Sequence, residues 1–370
     1  MSRWNVGHRV IIKGFANLDL FGVIWTCTFL TVLFLFYVIK FWALVTVRLP
    51  TKSFLLTFWN ILGLVCLLSY YAAVIYFPIV WMIKLKLGLA CSFALPMENV
   101  STFSAYNQRQ TILPKFSTYL YFLFAPTLIY KESYPRSKNK SDWKYIAVCV
   151  AEFYAALFML GYVFEIGFIP HLEEFGIKPF AVGDVLLLSL QCFPYGMATV
   201  LIIFYMGLHL WLNVFAELLR FSDRLFYKDW WTSKSFGEYY RKWNVVVHDW
   251  LYTYIYKDFY DNVIPSKLLA KCLVFLVSGI FHEYVFAFAF GFFLPIVFVQ
   301  IFITVFIMEM LKLLNMDFAN SFMWFSLCFG ISLNSTIYFI EYYARLNCPI
   351  SSLQSSKYDF FIPRFLSCYK

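Results

Sequence analysis

Charge is what this 370-residue sequence has least of: Asp, Glu, Lys and Arg together make up 14% of it, where soluble domains carry about a quarter. With 62% hydrophobic residues beside so little charge, the chain cannot cover itself with a water-soluble surface. Glycine (15) and proline (13) are sparse as well, and no Gly/Ser/Pro-rich tract interrupts the chain, which excludes domains strung on flexible linkers. Internal repeats and low-complexity tracts are also lacking, so a solenoid is excluded. Nine cysteines and five histidines nowhere fall at metal-ligand spacing, and no metal site is expected. Arg3, Arg9 and Lys13 precede a first apolar run as in a secretory signal, but the run is too long and no small-residue cleavage site follows it. A retained anchor is expected instead.

What the chain does have is apolar runs of about 20 residues from end to end, the length that crosses a hydrocarbon core. Spanning helices are expected near residues 20 to 45, 54 to 77, 79 to 97, 144 to 169, 183 to 214, 268 to 292, 294 to 314 and 322 to 341. The fold class is therefore an all-α polytopic membrane protein, a single membrane domain over 1–370 with about eight transmembrane helices. Lys84 and Lys86 make the third segment the weakest, because lysines are costly away from a helix end. Residues 215–267 differ: dense charged and aromatic residues predict a structured cytosolic or re-entrant loop with short amphipathic helices.

Positive charge marks cytosolic loops. Lys131, Arg136, Lys138, Lys140 and Lys144 crowd one connection, and Arg220, Arg224, Lys228, Lys234, Arg241, Lys242, Lys257, Lys267 and Lys271 crowd another. Two helices separate the two loops, so the assignments agree, and the C-terminal tail, 342–370, then faces the lumen. Eight helices put the N-terminus in the lumen too, against its basic residues; either the third helix is wrong or the local charge is overruled. The net charge of +9 sits in loops between spans, so anionic lipid headgroups rather than nucleic acid are its expected partners. The cluster from 220 to 271, with Tyr239, Tyr240, Tyr252, Tyr254 and Tyr256 among it, also suits a polyanionic nucleotide carrying an apolar tail.

Three polar residues stand out from the apolar background: Asn244, His248 and His282. Polar groups at membrane depth are costly and mark chemistry or helix packing. His282 lies eleven residues beyond Lys271, roughly 16 Å along a helix and near the middle of a ~30 Å core; there it cannot be a surface residue. Burial would keep it neutral and able to accept a proton. Asn244, His248, Tyr252 and Tyr256 recur every four residues, so a helix over 243–256 would align them on one face. A neutral histidine with an uncharged amide donor is the minimum equipment for esterifying an alcohol with a thioester.

Three strings carry a wider likeness: FYKDWW (226 to 231), WNVVVHDWLY (243 to 252) and SGIFHEY (278 to 284). Together they resemble the membrane-bound O-acyltransferases, most closely the sterol O-acyltransferase branch, and the likeness covers nearly the whole chain. The resemblance implies that His282 is the catalytic base and Asn244 its assistant, with His248 structural or on the acceptor path. It implies acyl-CoA contacts at Tyr239, Arg241, Tyr256, Lys267 and Ser278, and a motif role for Phe226, Tyr227, Asp229, Trp230 and Trp231. No cofactor is implied, acyl-CoA being a substrate; the partners are acyl-CoA, a sterol and the bilayer of the endoplasmic reticulum, with a homo-oligomer left open. Diacylglycerol acyltransferases share FYxDWWN, FLFAPTL and HEY, but their Asn-His string differs from VVVHDWLY, which favours a sterol acceptor. A non-catalytic sterol-binding protein is the remaining alternative. YLYFLFAPTLIYKESYPR (119 to 136) is similar to the family's cytosolic segment, so 117 to 130 is expected on the cytosolic side and not as a ninth span.

Two departures accompany the likeness. Thr232 follows FYKDWW where the family has Asn, which puts local loop order in doubt because threonine lacks the amide's second group. The chain also begins as if at the second helix of the family; one restored helix would remove the topological conflict. Cys348 and Cys368 flank the expected lumenal tail, where similar enzymes have a disulfide; a bridge there would add roughly 3 kcal/mol in the chain-entropy model. The other cysteines are expected to be inert. Of the N-x-S/T sequons, Asn139 is expected in the cytosol and Asn334 inside a span, both unmodified, with Asn99 undecided.

Overall fold

The computed structural model describes residues 18–48, scattered positions between 54 and 76, 115–175, 177, 181–313, 320–348, 359–366 and 368. The third expected span and nearly half of the second lie outside these residues, as does the sequon at Asn99. Among the described residues the regular elements are all helical, without a strand. Five helical stretches are long and apolar enough to cross a membrane among them: Phe29–Thr46, Trp143–Leu172, Phe193–Leu218, Lys267–Ala287 and Asn320–Asn347. The chain divides into two compact units.

The smaller unit contains α1 (Leu18–Arg48) and α2 (Phe116–Phe124). Phe36 stacks on Tyr119 at 4.8 Å between ring centroids, and Val32 and Phe36 are buried with it. Nine residues in α2 reach about 14 Å, too short to span, as expected for 117 to 130.

The larger unit carries the remaining elements. α3 (Trp143–Gly167) starts where Asp142 accepts from the amides of Lys144 and Tyr145 at 2.9 and 3.2 Å, an N-cap that sets where the helix begins. A short turn, α4 (Ile169–Leu172), follows. The expected single span over 183–214 is instead four pieces: α5 (Val182–Gln191), α6 (Phe193–Ile203), a π-helical segment (Phe204–Trp211) and α7 (Leu212–Leu218). Pro194 causes the first break, since it has no amide to donate into the preceding turn. α8 (Phe236–Lys242), α9 (Val245–Leu251), a second π segment (Tyr252–Lys257) and α10 (Asp258–Asn262) make up the amphipathic loop.

α11 (Lys267–Phe290) is capped by Ser266 and closed by Gly291, which takes a left-handed conformation (φ 76°) that glycine adopts without strain. α12 (Ile296–Leu313) follows; its described apolar stretch, Ile296–Met308, is shorter than a full span. α13 (Asn320–Asn347) completes the unit and packs most tightly on α6. A Cβ on Gly196 of α6 would lie 2.8 Å from the Cys328 carbonyl and 2.9 Å from Ser332 Cβ, the close approach that small residues give membrane helices. Ser332 donates to the Ser189 carbonyl at 2.6 Å, and Asn334 donates to Gln300 of α12.

Candidate active site

The FYKDWW string folds into a tight turn held from several sides. Phe226 and Trp230 are buried, the latter against Phe204, Trp243 and Trp324. Lys228 N donates to Lys242 O and Val245 N to Phe226 O, both at 2.9 Å. These two bonds clamp the turn on the α8–α9 junction, where Asn244 sits. Thr232 Oγ1 donates to the Asp229 carbonyl at 2.7 Å, closing the 3₁₀ turn Trp230–Thr232. The order that threonine's smaller side chain puts in doubt comes from α13: Asn320 Nδ2 donates to the carbonyls of Trp231 and Ser233, each at 2.8 Å, and Trp324 Nε1 donates to Trp231 O at 3.1 Å.

Asn244 is not within a helix over 243–256, as its spacing had suggested, but is the N-cap of α9, with extended backbone (φ −140°). Its Oδ1 accepts from Val247 N at 3.1 Å. The cap has a chemical use. Fixing Oδ1 in the cap leaves Nδ2 as the side chain's donor, so the amide is oriented before any substrate arrives. His248, Tyr252, Tyr256 and Tyr260 do share a face: their rings run nearly parallel, 6.4, 5.5 and 6.2 Å apart in sequence. Tyr252 and Tyr256 belong to a π segment, a geometry enriched at functional sites. His248 Nδ1 lies 3.1 Å from Asp249 Oδ1.

His282 lies on α11, fifteen residues after Lys267. Its Nδ1 is 2.7 Å from the Ser278 backbone carbonyl, and Ser278 Oγ is 3.5 Å away. A carbonyl only accepts, so Nδ1 carries the proton and Nε2 presents its lone pair. The expectation that His282 is not a surface residue is overturned: it is exposed, because α11 turns Glu283, its neighbour, toward α12 and α13. Neutrality by burial is therefore not the reason His282 suits a base; a tautomer set by Ser278 is. No hydrogen bond joins Asn244 to His282 among the described residues. α8, the helix just before Asn244, meets α11 at Tyr240 and Phe275, whose rings are 5.4 Å apart.

Of the expected acyl-CoA residues, Arg241 and Lys267 are exposed cations, while Tyr256 and Ser278 are half-buried. Tyr239 is a correction: it is 7% exposed, packed on Trp230 and Trp243, and burial pushes its phenol well above its ordinary pKa. Its ring supports the motif turn and is not open for a nucleotide to stack on.

Sequence reasoning passed over His209. It sits in the first π segment, its Nδ1 2.7 Å from the Tyr227 hydroxyl and its ring stacked on Tyr205 at 5.2 Å. Its signal is present in the sequence, since GLHLW places a histidine in an apolar run just as SGIFHEY does. Among the described residues no three His, Cys, Asp or Glu side chains gather to hold a metal. Cys348 and Cys368 are bridged, with Cα atoms 6.0 Å apart.

A polytopic helical protein that presents a tautomer-fixed histidine within a span, beside a loop of exposed cations and aligned aromatic rings, is a membrane-embedded transfer catalyst in its layout. The family model "MBOAT, membrane-bound O-acyltransferase family" matches residues 12–340, and the chain belongs to that family. It is similar to "Sterol O-acyltransferase 2" of Rattus norvegicus, 35% identical over 97% of this chain and 71% of the relative. The Homo sapiens protein of that name is 40% identical over 69% of this chain and 49% of the relative. "Sterol O-acyltransferase 1" of Chlorocebus aethiops is 40% identical over 72% and 48%. The chain thus spans about half the length of the latter two.

Proposed function

We propose that this protein is an acyl-CoA-dependent sterol O-acyltransferase of the endoplasmic reticulum membrane, moving a long-chain acyl group to the 3β-hydroxyl of a sterol. The observation that carries the reading is the His282 tautomer, which leaves Nε2 free to accept a proton; the names of the relatives support the substrates. The exposed cations Arg241 and Lys267 suit the phosphates of acyl-CoA on the cytosolic side, while the sterol enters from the bilayer. Nε2 of His282 takes the hydroxyl proton as the sterol oxygen attacks the thioester carbon. Asn244 Nδ2 donates to the developing oxyanion. The C–S bond breaks, the thiolate takes the proton back from the imidazolium, and sterol ester and CoA leave. The Ser278 hydroxyl lies beside Nδ1, the protonated nitrogen, so His282 does not activate it as a nucleophile, and a direct transfer without acyl-enzyme fits.

Transfer of labelled oleate from oleoyl-CoA, in membranes lacking endogenous activity, tests this with sterol and diacylglycerol offered together. Sterol ester from the wild type and a drop of about 10²–10⁴ in His282→Ala is the expected outcome. Triacylglycerol as product would move the acceptor to diacylglycerol. Neither product from a correctly inserted chain would favour a sterol-binding protein without catalysis.

A further inference from the structure

Glu283 follows the histidine directly and faces the other way. A carboxyl group at this depth is expensive unless its environment answers it, and Glu283 is 3% exposed. Its Oε1 accepts from Phe298 N at 2.8 Å, one of the first α12 amides, which have no partner inside their own helix. Its Oε2 lies 2.7 Å from the Tyr338 hydroxyl of α13. That hydroxyl also lies 2.8 Å from the Leu294 carbonyl. Were Glu283 ionised, one hydroxyl hydrogen would stand between two acceptors.

A second buried glutamate in the same molecule shows the contrast. Glu341, fully buried, faces the Arg345 guanidinium at 2.6 Å and the amides of Arg364 and Phe365, both at 3.0 Å. Three donors, one of them a full cation, answer both oxygens there. Glu283 has only neutral partners, the amides of Phe298 and Val297 at the start of α12 and a hydroxyl, and no ion pair reaches it among the described residues. The start of α12 offers only roughly half an elementary charge. An unpaired carboxylate in such a place binds a proton instead.

We propose that Glu283 is a neutral carboxylic acid: its Oε2–H donates to the Tyr338 oxygen, Tyr338 donates to Leu294 O, and Oε1 receives Phe298 N–H. Every donor then has its own acceptor. This relay ties α11 to α12 and α13 one residue from His282, and Gly279 packs on Phe298 one turn earlier, where an added Cβ would come within 2.9 Å of the ring. Rotation of α11 is thereby set, and with it the direction of Nε2. Glu283 is a positioning residue, and this part of the proposal rests on His282 being the base.

The test compares wild type, Glu283→Gln, Glu283→Ala and Tyr338→Phe as full chains in lipid nanodiscs. Glutamine reproduces the neutral acid, its amide N–H donating to Tyr338 and its oxygen accepting from Phe298. Glu283→Gln should therefore rescue what Glu283→Ala loses: kcat down about tenfold or more, as an unanswered buried amide predicts, with KM little changed and a lower melting temperature. Tyr338→Phe should fall between. The infrared spectrum of the wild type should contain a carboxylic-acid C=O band that Glu283→Gln lacks, at every pH where the protein is active. A glutamine variant as impaired as alanine, or no acid band lost, overturns the proposal. If the wild type transfers no acyl group the proposed function fails, while the infrared and melting measurements still decide the state of Glu283.

Discussion

At the scale of the residue, Asn244 has two jobs that one substitution can separate. Aspartate caps a helix as well as asparagine does, so Asn244→Asp keeps the acceptor for Val247 N and removes the amide donor. The expected result is a loss of about 10²–10³ in kcat with the melting temperature little changed, whereas Asn244→Ala loses both. An active aspartate variant would reduce Asn244 to a cap. The cap was legible in the sequence, since Asn ahead of an apolar run is a helix-start signal. The four-residue spacing pointed elsewhere because it treats every polar residue on the stripe as helical. His282 was legible as a residue and illegible as a tautomer: a histidine's own identity does not reveal which carbonyl its ring meets.

At the scale of the element, the FYKDWW turn is short and owes its order to bonds from distant segments. Asn320 supplies two of them. Asn320→Ala should strip both carbonyls of their partner and cost about 1–2 kcal/mol, read as a lower melting temperature and faster protease cleavage within 226–235. If neither changes, water replaces the amide and the turn is self-sufficient. The break at Pro194 belongs to this scale as well. Hydropathy runs unbroken from 183 to 214 and therefore reads as one span, but hydropathy does not register a missing amide. The π segments escaped for a related reason: an extra residue in a turn leaves the apolar pattern almost unaltered.

At the scale of the whole molecule, the C-terminal tail is fastened to the end of α13 by charge as well as by the Cys348–Cys368 bridge. Arg345 of α13 reaches Asp359 Oδ2 at 3.6 Å, Arg364 within the tail donates to the same carboxylate at 2.5 and 3.0 Å, and these guanidinium groups, Arg364 foremost, hold the Asp359 carboxyl below its ordinary pKa. A carboxyl depressed on folding stabilises the fold above its unfolded pKa of about 3.9, and that contribution fades as pH falls through the lower folded value. Acidification into that range should loosen the tail, measured as protease sensitivity of residues 359–368 with the disulfide intact. Asp359→Asn should show the looser tail at neutral pH and little further change on acidification. A wild-type tail equally resistant throughout would place the fastening in the disulfide and Glu341.

The sequence by itself determined the class, an all-α polytopic membrane protein, because the hydrocarbon core demands long apolar runs and that demand is written locally. Its motif strings likewise sufficed for the family. The tertiary structure alone decided how the polar groups are answered: His209 by Tyr227, Trp231 by Asn320, Glu283 by Phe298 and Tyr338. Such partners lie far apart along the chain and meet only when helices pack. Packing is settled by side-chain shape and by the need to satisfy each buried donor and acceptor, neither of which has a period that can be read from the sequence.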